Sequence, residues 1–229
     1  MGQSHRAIWE IKDAIQATAK TGDVDAVRKL IAEGEASSAA QDITFKWMAH
    51  ALEWAAGFGR VEIVQGLLSD GANVNDQSRG DATSLMWAAR NGHREVAEIF
   101  LDAGTDVNAT NECGTTALMR AARSGDRETV KLLLDRGANV NTKEKYIGSS
   151  TALMHAAGCG DEPIVRLLLE RGADANAMNN DGEKASDLTG NESILALLKE
   201  AEEKQATTLA CAVMDSYVEE KGDMQPVRM

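Results

Sequence analysis

The chain has 229 residues, 43% hydrophobic and 26% charged, with two prolines and a net charge of −12. That balance fits one or two helix-friendly globular domains and argues against a disordered or collagen-like chain. The longest unbroken apolar run is Leu209 to Met214, far short of the roughly 20 residues of a membrane span, and the acidic excess argues against a uniform phosphate-binding surface.

From the N-terminus, no apolar core of a secretory signal is seen. Arg6 stands where a myristoylation pattern wants Ser or Thr. Ile8, Ile11 and Ile15 have helical spacing, and a shift of 37 lands them on Phe45, Met48 and Leu52. The pair of triplets predicts two long first helices lying side by side, with Asp42 as a candidate N-cap of the second. Opposite Phe45, Met48 and Leu52 runs a second stripe of Ile43, Trp47, Trp54 and Phe58.

Downstream the pattern becomes periodic. Gly71, Gly104, Gly137 and Gly172 are spaced by 33, 33 and 35 residues. Each closes an apolar run (IVQGLLSDG, VAEIFLDAG, VKLLLDRG, IVRLLLERG) and opens a near-copy (ANVN, TDVN, ANVN, ADAN). Upstream, Leu52, Leu85, Leu118 and Leu153 recur in HALEWAA, TSLMWAA, TALMRAA and TALMHAA. Gly34 lies 37 residues before Gly71, so a divergent first unit precedes them.

The chemistry of one unit is readable. Thr83, Thr116 and Thr151 precede short Ala-rich helices, where a Thr hydroxyl accepts from free backbone N–H groups. Paired alanines such as Ala121 and Ala122 permit close helix approach. Gly92, Gly125 and Gly160 break the first helix, and Asp126 and Asp161 fit as caps of a Leu-rich second one. The second Gly of each unit fits a left-handed position just past the helix. Asn75, Asn108, Asn141 and Asn176 are placed to bond locally to backbone in the connection that follows.

This pattern resembles the ankyrin repeat, whose signature is T-P-L-H-x-A-A, a Gly, a second helix and G-A-D-V-N. Ala replaces Pro before Leu118 and Leu153, and Met119 and Met154 stand where His is usual. The resemblance covers about residues 5 to 202 and implies an all-α solenoid of about six units with short hairpin-like turns. The expected domain, 1–202, divides near 5–41, 42–75, 76–108, 109–141 and 142–176, with a partial cap at 177–202. Residues 203–229 form an acidic, partly helical tail, in which Ala206, Leu209, Ala210, Val213 and Tyr217 suit an amphipathic helix. From 178 onward the chain carries 11 acidic and five basic residues.

The resemblance also implies a concave partner-binding surface made of the inner helices and hairpin tips. The matching positions are Trp54, Gly57 and Phe58, then Trp87, Arg90 and Asn91, then Arg120, Arg123 and Ser124, then His155, Gly158 and Cys159. The aromatic half reads either as a hydrophobic anchor site, including Trp47, or as a seal on the end of the stack. For Trp9 the sealing role is the expectation. The arginines read as a contact for an acidic peptide or as a solvated face paired with acids such as Glu112. The two-residue insertion in TKEKYIGSS makes Lys143, Lys145 and Tyr146 a second candidate contact, set against a loose polar loop.

Chemistry beyond binding has little support in the residues. His155 and Cys159 lie four apart on one helix, but two ligands are short of the four in a structural zinc site, and a nucleophilic pair needs an orienting group and an oxyanion pocket. No metal, cofactor or nucleic-acid partner is expected. Three scattered cysteines, Cys113, Cys159 and Cys211, predict free thiols and a reducing, intracellular setting. The expected function is a non-enzymatic protein-interaction module, an adaptor, scaffold or accessory subunit. The alternatives are a regulator that occludes a target's site and, more remotely, an enzyme using His155 and Cys159.

Overall fold

The computed structural model describes residues 2–39, 47–76, 83–146 and 148–222, with side chains placed except at 2–8, 37–39 and 212–222. The described residues are helices and turns, with no strand. Five helix pairs follow one another. They are α1 (Gly2–Thr21) with α2 (Val24–Ala39), α3 (Trp47–Gly57) with α4 (Val61–Ser69), and α5 (Ser84–Arg90) with α6 (Arg94–Asp102). The last two are α7 (Ala117–Ser124) with α8 (Arg127–Asp135), and α9 (Ala152–Cys159) with α10 (Glu162–Glu170). A single 3-10 turn (Ala185–Asp187) and α11 (Glu192–Gly222) complete the stack.

Odd-numbered helices α1 to α9 pack in a row, as do the even-numbered helices behind them. The inner row is tight because its contact positions are alanines: Ala55, Ala56, Ala88, Ala89, Ala121, Ala122, Ala156 and Ala157 are all fully buried or nearly so. The outer helices bring Ile63, Val64, Leu67, Val96, Phe100, Val130, Leu133, Ile164 and Leu168 into one continuous core. α1 and α3 are longer than the inner helices after them and lie side by side, as the paired triplets predict. Asp42, Ile43 and Phe45 lie outside the described residues.

The capping chemistry follows the sequence closely. Thr83, Thr116 and Thr151 accept from the N–H groups of Met86, Met119 and Met154. In the last two the methionine sulfur accepts the threonine's own N–H in return, at 3.4 and 3.5 Å. The residue that departs from the ankyrin pattern therefore closes a reciprocal cap. Asp126 accepts from Glu128 and Thr129, and Asp161 from Ile164. Gly125 and Gly160 end α7 and α9 in the left-handed conformation.

Three expectations change. The conserved-looking asparagines bond across units as well as within them. Asn108 accepts from the Asn139 N–H (2.7 Å) and donates to the Gly137 carbonyl (3.2 Å). Asn141 repeats both bonds one unit later, on Asp174 and Gly172. The connection of one repeat is thus completed by the side chain of the repeat before it, which sequence spacing alone does not reveal.

Gly34 does not end its helix. α2 runs past it to Ala39, and a Cβ there would lie 2.5 Å from the Trp47 ring. Its role is to admit that ring. Finally, α11 continues without a break through residues 202 and 203, where the repeat domain was expected to end. Gln205 accepts from the Ala175 N–H and donates to the Ala173 carbonyl, supplying for the last full repeat what a further unit would.

Candidate partner-binding groove

The inner helices leave two adjoining recesses on their exposed face. The first, about 600 Å³, lies between α1, α3 and α5. Trp54, Phe58 and Trp87 line it, with Arg90 and Asn91 at its edge. Trp54 and Phe58 stack with ring centroids 5.6 Å apart and planes 19° from parallel. The Trp54 indole N–H donates to His50 Nε2 at 3.2 Å, which fixes the ring and requires that histidine nitrogen to be unprotonated. Burial, together with the charge on Lys12, pushes His50 down to about 4.

Trp47 is not part of this recess. It is 2% exposed and seated against Gly34, so its assignment as a contact residue is corrected. Trp47 and Trp54 are seven residues apart and share a helix face, but the cover over that face changes along α3. At Trp47 the outer helix α2 closes over it, whereas Trp54 keeps part of its surface open to the recess. Met48, expected on the core side, is half-buried, while Trp47 and Leu52 are in the core.

Trp9 is the converse correction. Expected to seal the stack, it is 53% exposed and lines the aromatic recess. Lys12, Asp13, Gln16, His50 and Glu53 also line it and were not picked out from sequence. The available signal was their spacing along α1 and α3: Trp9, Lys12, Asp13 and Gln16 fall three, four and seven apart, and His50 and Glu53 flank Trp54 on the same helix turns. Lys12 Nζ sits 4.7 Å over the Trp9 ring.

The second recess, about 390 Å³, lies between α5, α7 and α9. Arg90, Arg120, Arg123 and His155 converge there, with Thr115, Met119, Ser124 and Glu144. Arg90 and Arg120 hold their guanidinium carbons 5.6 and 5.8 Å from the centroid of the same Trp87 ring, within cation–π range. Trp87 and Arg90 thereby join the two recesses. Glu144 is the acidic group of the lining. It accepts from the Thr115 hydroxyl at 3.0 Å and faces His155 Nε2 at 3.5 Å. Among the described residues none of the three arginines makes an ion pair, and Arg120 Nε is buried without a hydrogen-bond partner. Burial and then the charge of Arg90 lower the pKa of Arg120. His155 is lowered by burial first, against the pull of Glu144.

Lys143, Lys145 and Tyr146 lie apart from both recesses. Their hairpin is tied down on both sides. The Lys145 N–H donates to the Cys113 carbonyl (2.8 Å), Lys143 Nζ to the Met178 carbonyl (3.0 Å), and Asn180 Nδ2 to the Tyr146 carbonyl (2.8 Å). Tyr146 is 63% exposed. Gly148 and Ser149 turn the hairpin with φ of 77° and 48°.

His155 is engaged by Glu144, while the Cys159 thiol lies 3.5 Å from the Arg123 carbonyl. Among the described residues no group of three or more His, Cys, Asp or Glu could hold a metal ion, and no helix is long and apolar enough to cross a membrane. A sequence model of the family described as ankyrin repeats (3 copies) matches residues 52–144 and 85–179, over half of the chain. No curated protein matches the chain significantly.

Proposed function

From the premise that this chain belongs to the ankyrin-repeat family, whose members are generally protein-interaction modules, we propose that it is a non-enzymatic adaptor or accessory subunit. It takes its partner in the groove on the inner-helix face. The observation that carries this reading is the continuity of the two recesses: the aromatic recess and the arginine recess share Arg90, and Trp87 of the first lies under Arg90 and Arg120 of the second. Clustered Trp and Arg side chains are the residue types that dominate binding energy at protein interfaces. Trp54, Phe58 and Trp87 pack against the core with one side and line the recess with the other.

The test is affinity capture from the native source with the full chain and with a Trp54→Ala, Trp87→Ala double variant shown by circular dichroism to be folded. Loss of a specific protein with the variant supports the groove as the docking surface. Undiminished capture by the folded variant moves the contact elsewhere and overturns the reading.

A further inference from the structure

We propose that the groove's ligand is one extended acidic segment of a partner protein, carrying a bulky apolar residue that enters the aromatic recess while a carboxylate is held at Arg120. This rests on the docking role of the groove and adds the chemistry of what docks.

Charge selects the sign of the ligand. In the aromatic recess the rings resemble a cage for an ammonium group, but the Trp9 and Trp87 faces already hold Lys12, Arg90 and Arg120. A cationic ligand would find those ring faces taken, and the two acids of the lining, Asp13 and Glu53, are offset by Lys12 and Arg90. An uncharged apolar side chain meets no such opposition, and Trp54 and Phe58 offer it a stacked wall. In the neighbouring recess three guanidiniums face one carboxylate, Glu144, which is already shared by Thr115 and His155. Arg120 Nε lacks a partner altogether. An incoming carboxylate would accept that N–H and offset the mutual repulsion of Arg90, Arg120 and Arg123.

Geometry sets the length of the segment. Trp54 is on α3 and Arg120 on α7, two inner-helix spacings apart. At roughly 8–10 Å per packed helix and about 3.3 Å per extended residue, the anchor and the carboxylate are separated by about five to six residues. Trp87 and Arg90 lie under the stretch between. The chain as a whole carries −12, so attraction of an acidic segment is local to the arginines and sensitive to salt.

The probe is a capped, fluorescein-labelled ten-residue peptide with one leucine and three consecutive glutamates beginning four residues later, together with its reversed sequence. Binding to the full chain is followed by anisotropy. The proposal expects saturable binding of one orientation. It expects a loss of about tenfold or more on changing the leucine to alanine, and a similar loss on changing the glutamates to glutamine. Arg120→Gln should weaken the glutamate peptide about tenfold and leave the glutamine peptide nearly unchanged. The peptide changes cannot perturb folding, so they decide the matter even if Arg120→Gln destabilises the chain. Equal affinity for the glutamate and glutamine peptides, tighter binding of a lysine version, or no binding in either orientation overturns the proposal. If the peptides fail while native capture still depends on Trp54 and Trp87, the ligand chemistry is wrong and the groove stands. If capture is also insensitive to them, both readings fall.

Discussion

In repeats three to five, Asn108 and Asn141 reach into the following unit and satisfy its backbone, Thr or Asp side chains cap every helix except α6, and Arg136 and Arg171 bridge to Asp102 and Asp135 of the unit before. The first two units keep some of these bonds, with Asp23 capping α2 and Arg28 bridging to Asp70, and add bulk. Trp47 fills the space opened by Gly34, and long helices α1 and α3 lie along each other. The regular end is stitched by many small polar bonds, each worth about 1 kcal/mol. The irregular end adds one large buried side chain, Trp47, and the aromatic recess opens on that end. The lesson is that repetition distributes stability, and a break in repetition is where this chain places its distinctive surface.

The contrast is sharpest at Trp47. Replacing it with alanine should remove about 3–5 kcal/mol of stability, the range for a buried aromatic, whereas Trp54→Ala, at a side chain that is only partly buried, should change stability less. Chemical denaturation of the two variants decides it; similar losses would erase the distinction between core and groove tryptophans. In the regular half, Leu133→Ala should cost about 2–5 kcal/mol, since Leu133 is fully buried, and a shift below about 1 kcal/mol would place it outside the core.

Gly34→Ala gives a test of sign. In an exposed helix interior this change stabilises by up to about 1 kcal/mol. Here the new Cβ would collide with the Trp47 ring at 2.5 Å, so a loss of about 1–3 kcal/mol is expected. A rise in melting temperature would show that the ring is not seated there.

His50 gives the comparison a pH axis. Its folded value, about 4, is below the 6.5 of the free side chain, chiefly through burial and then Lys12, with Asp13 acting in the opposite direction. The unfolded chain therefore takes up the proton first as pH falls. The stabilising effect is complete above about pH 6.5 and is lost progressively down to about pH 4, by about 2 kcal/mol after allowing for partial exposure. His50→Gln should flatten that part of the curve measured from pH 7 to 4.5. An unchanged slope would reassign it to other groups. The smallest expected effect is on the regular side: Asp126→Ala should cost about 1 kcal/mol through loss of the α8 cap, read as a modest shift in denaturation midpoint.

Much of this architecture is legible in the residues. The glycine, threonine and aspartate positions marked helix ends because each has a local conformational or capping requirement. Trp54, Phe58, Trp87, Arg90, Arg120 and Arg123 were legible as a shared face because the repeat register fixes which way each inner helix turns. Trp47 was misplaced because helical periodicity gives the angle of a side chain about its axis and says nothing of what covers it at a given height. Trp9, His50 and Glu144 were missed as groove residues for a related reason. His50 bonds Trp54 within α3 and Glu144 faces His155 within its own unit, but the recesses they line form only where neighbouring units meet.

By itself, then, the sequence determined the repeating all-helical unit, its caps and its stacking order, since these follow from neighbours along the chain. Only the tertiary structure decided which tryptophan is core and which is surface, that Gln205 of α11 completes the last full repeat, and that three arginines gather around one engaged carboxylate. Those outcomes depend on separations of tens of residues, where burial and charge are set by packed helices that the chain's local chemistry does not specify.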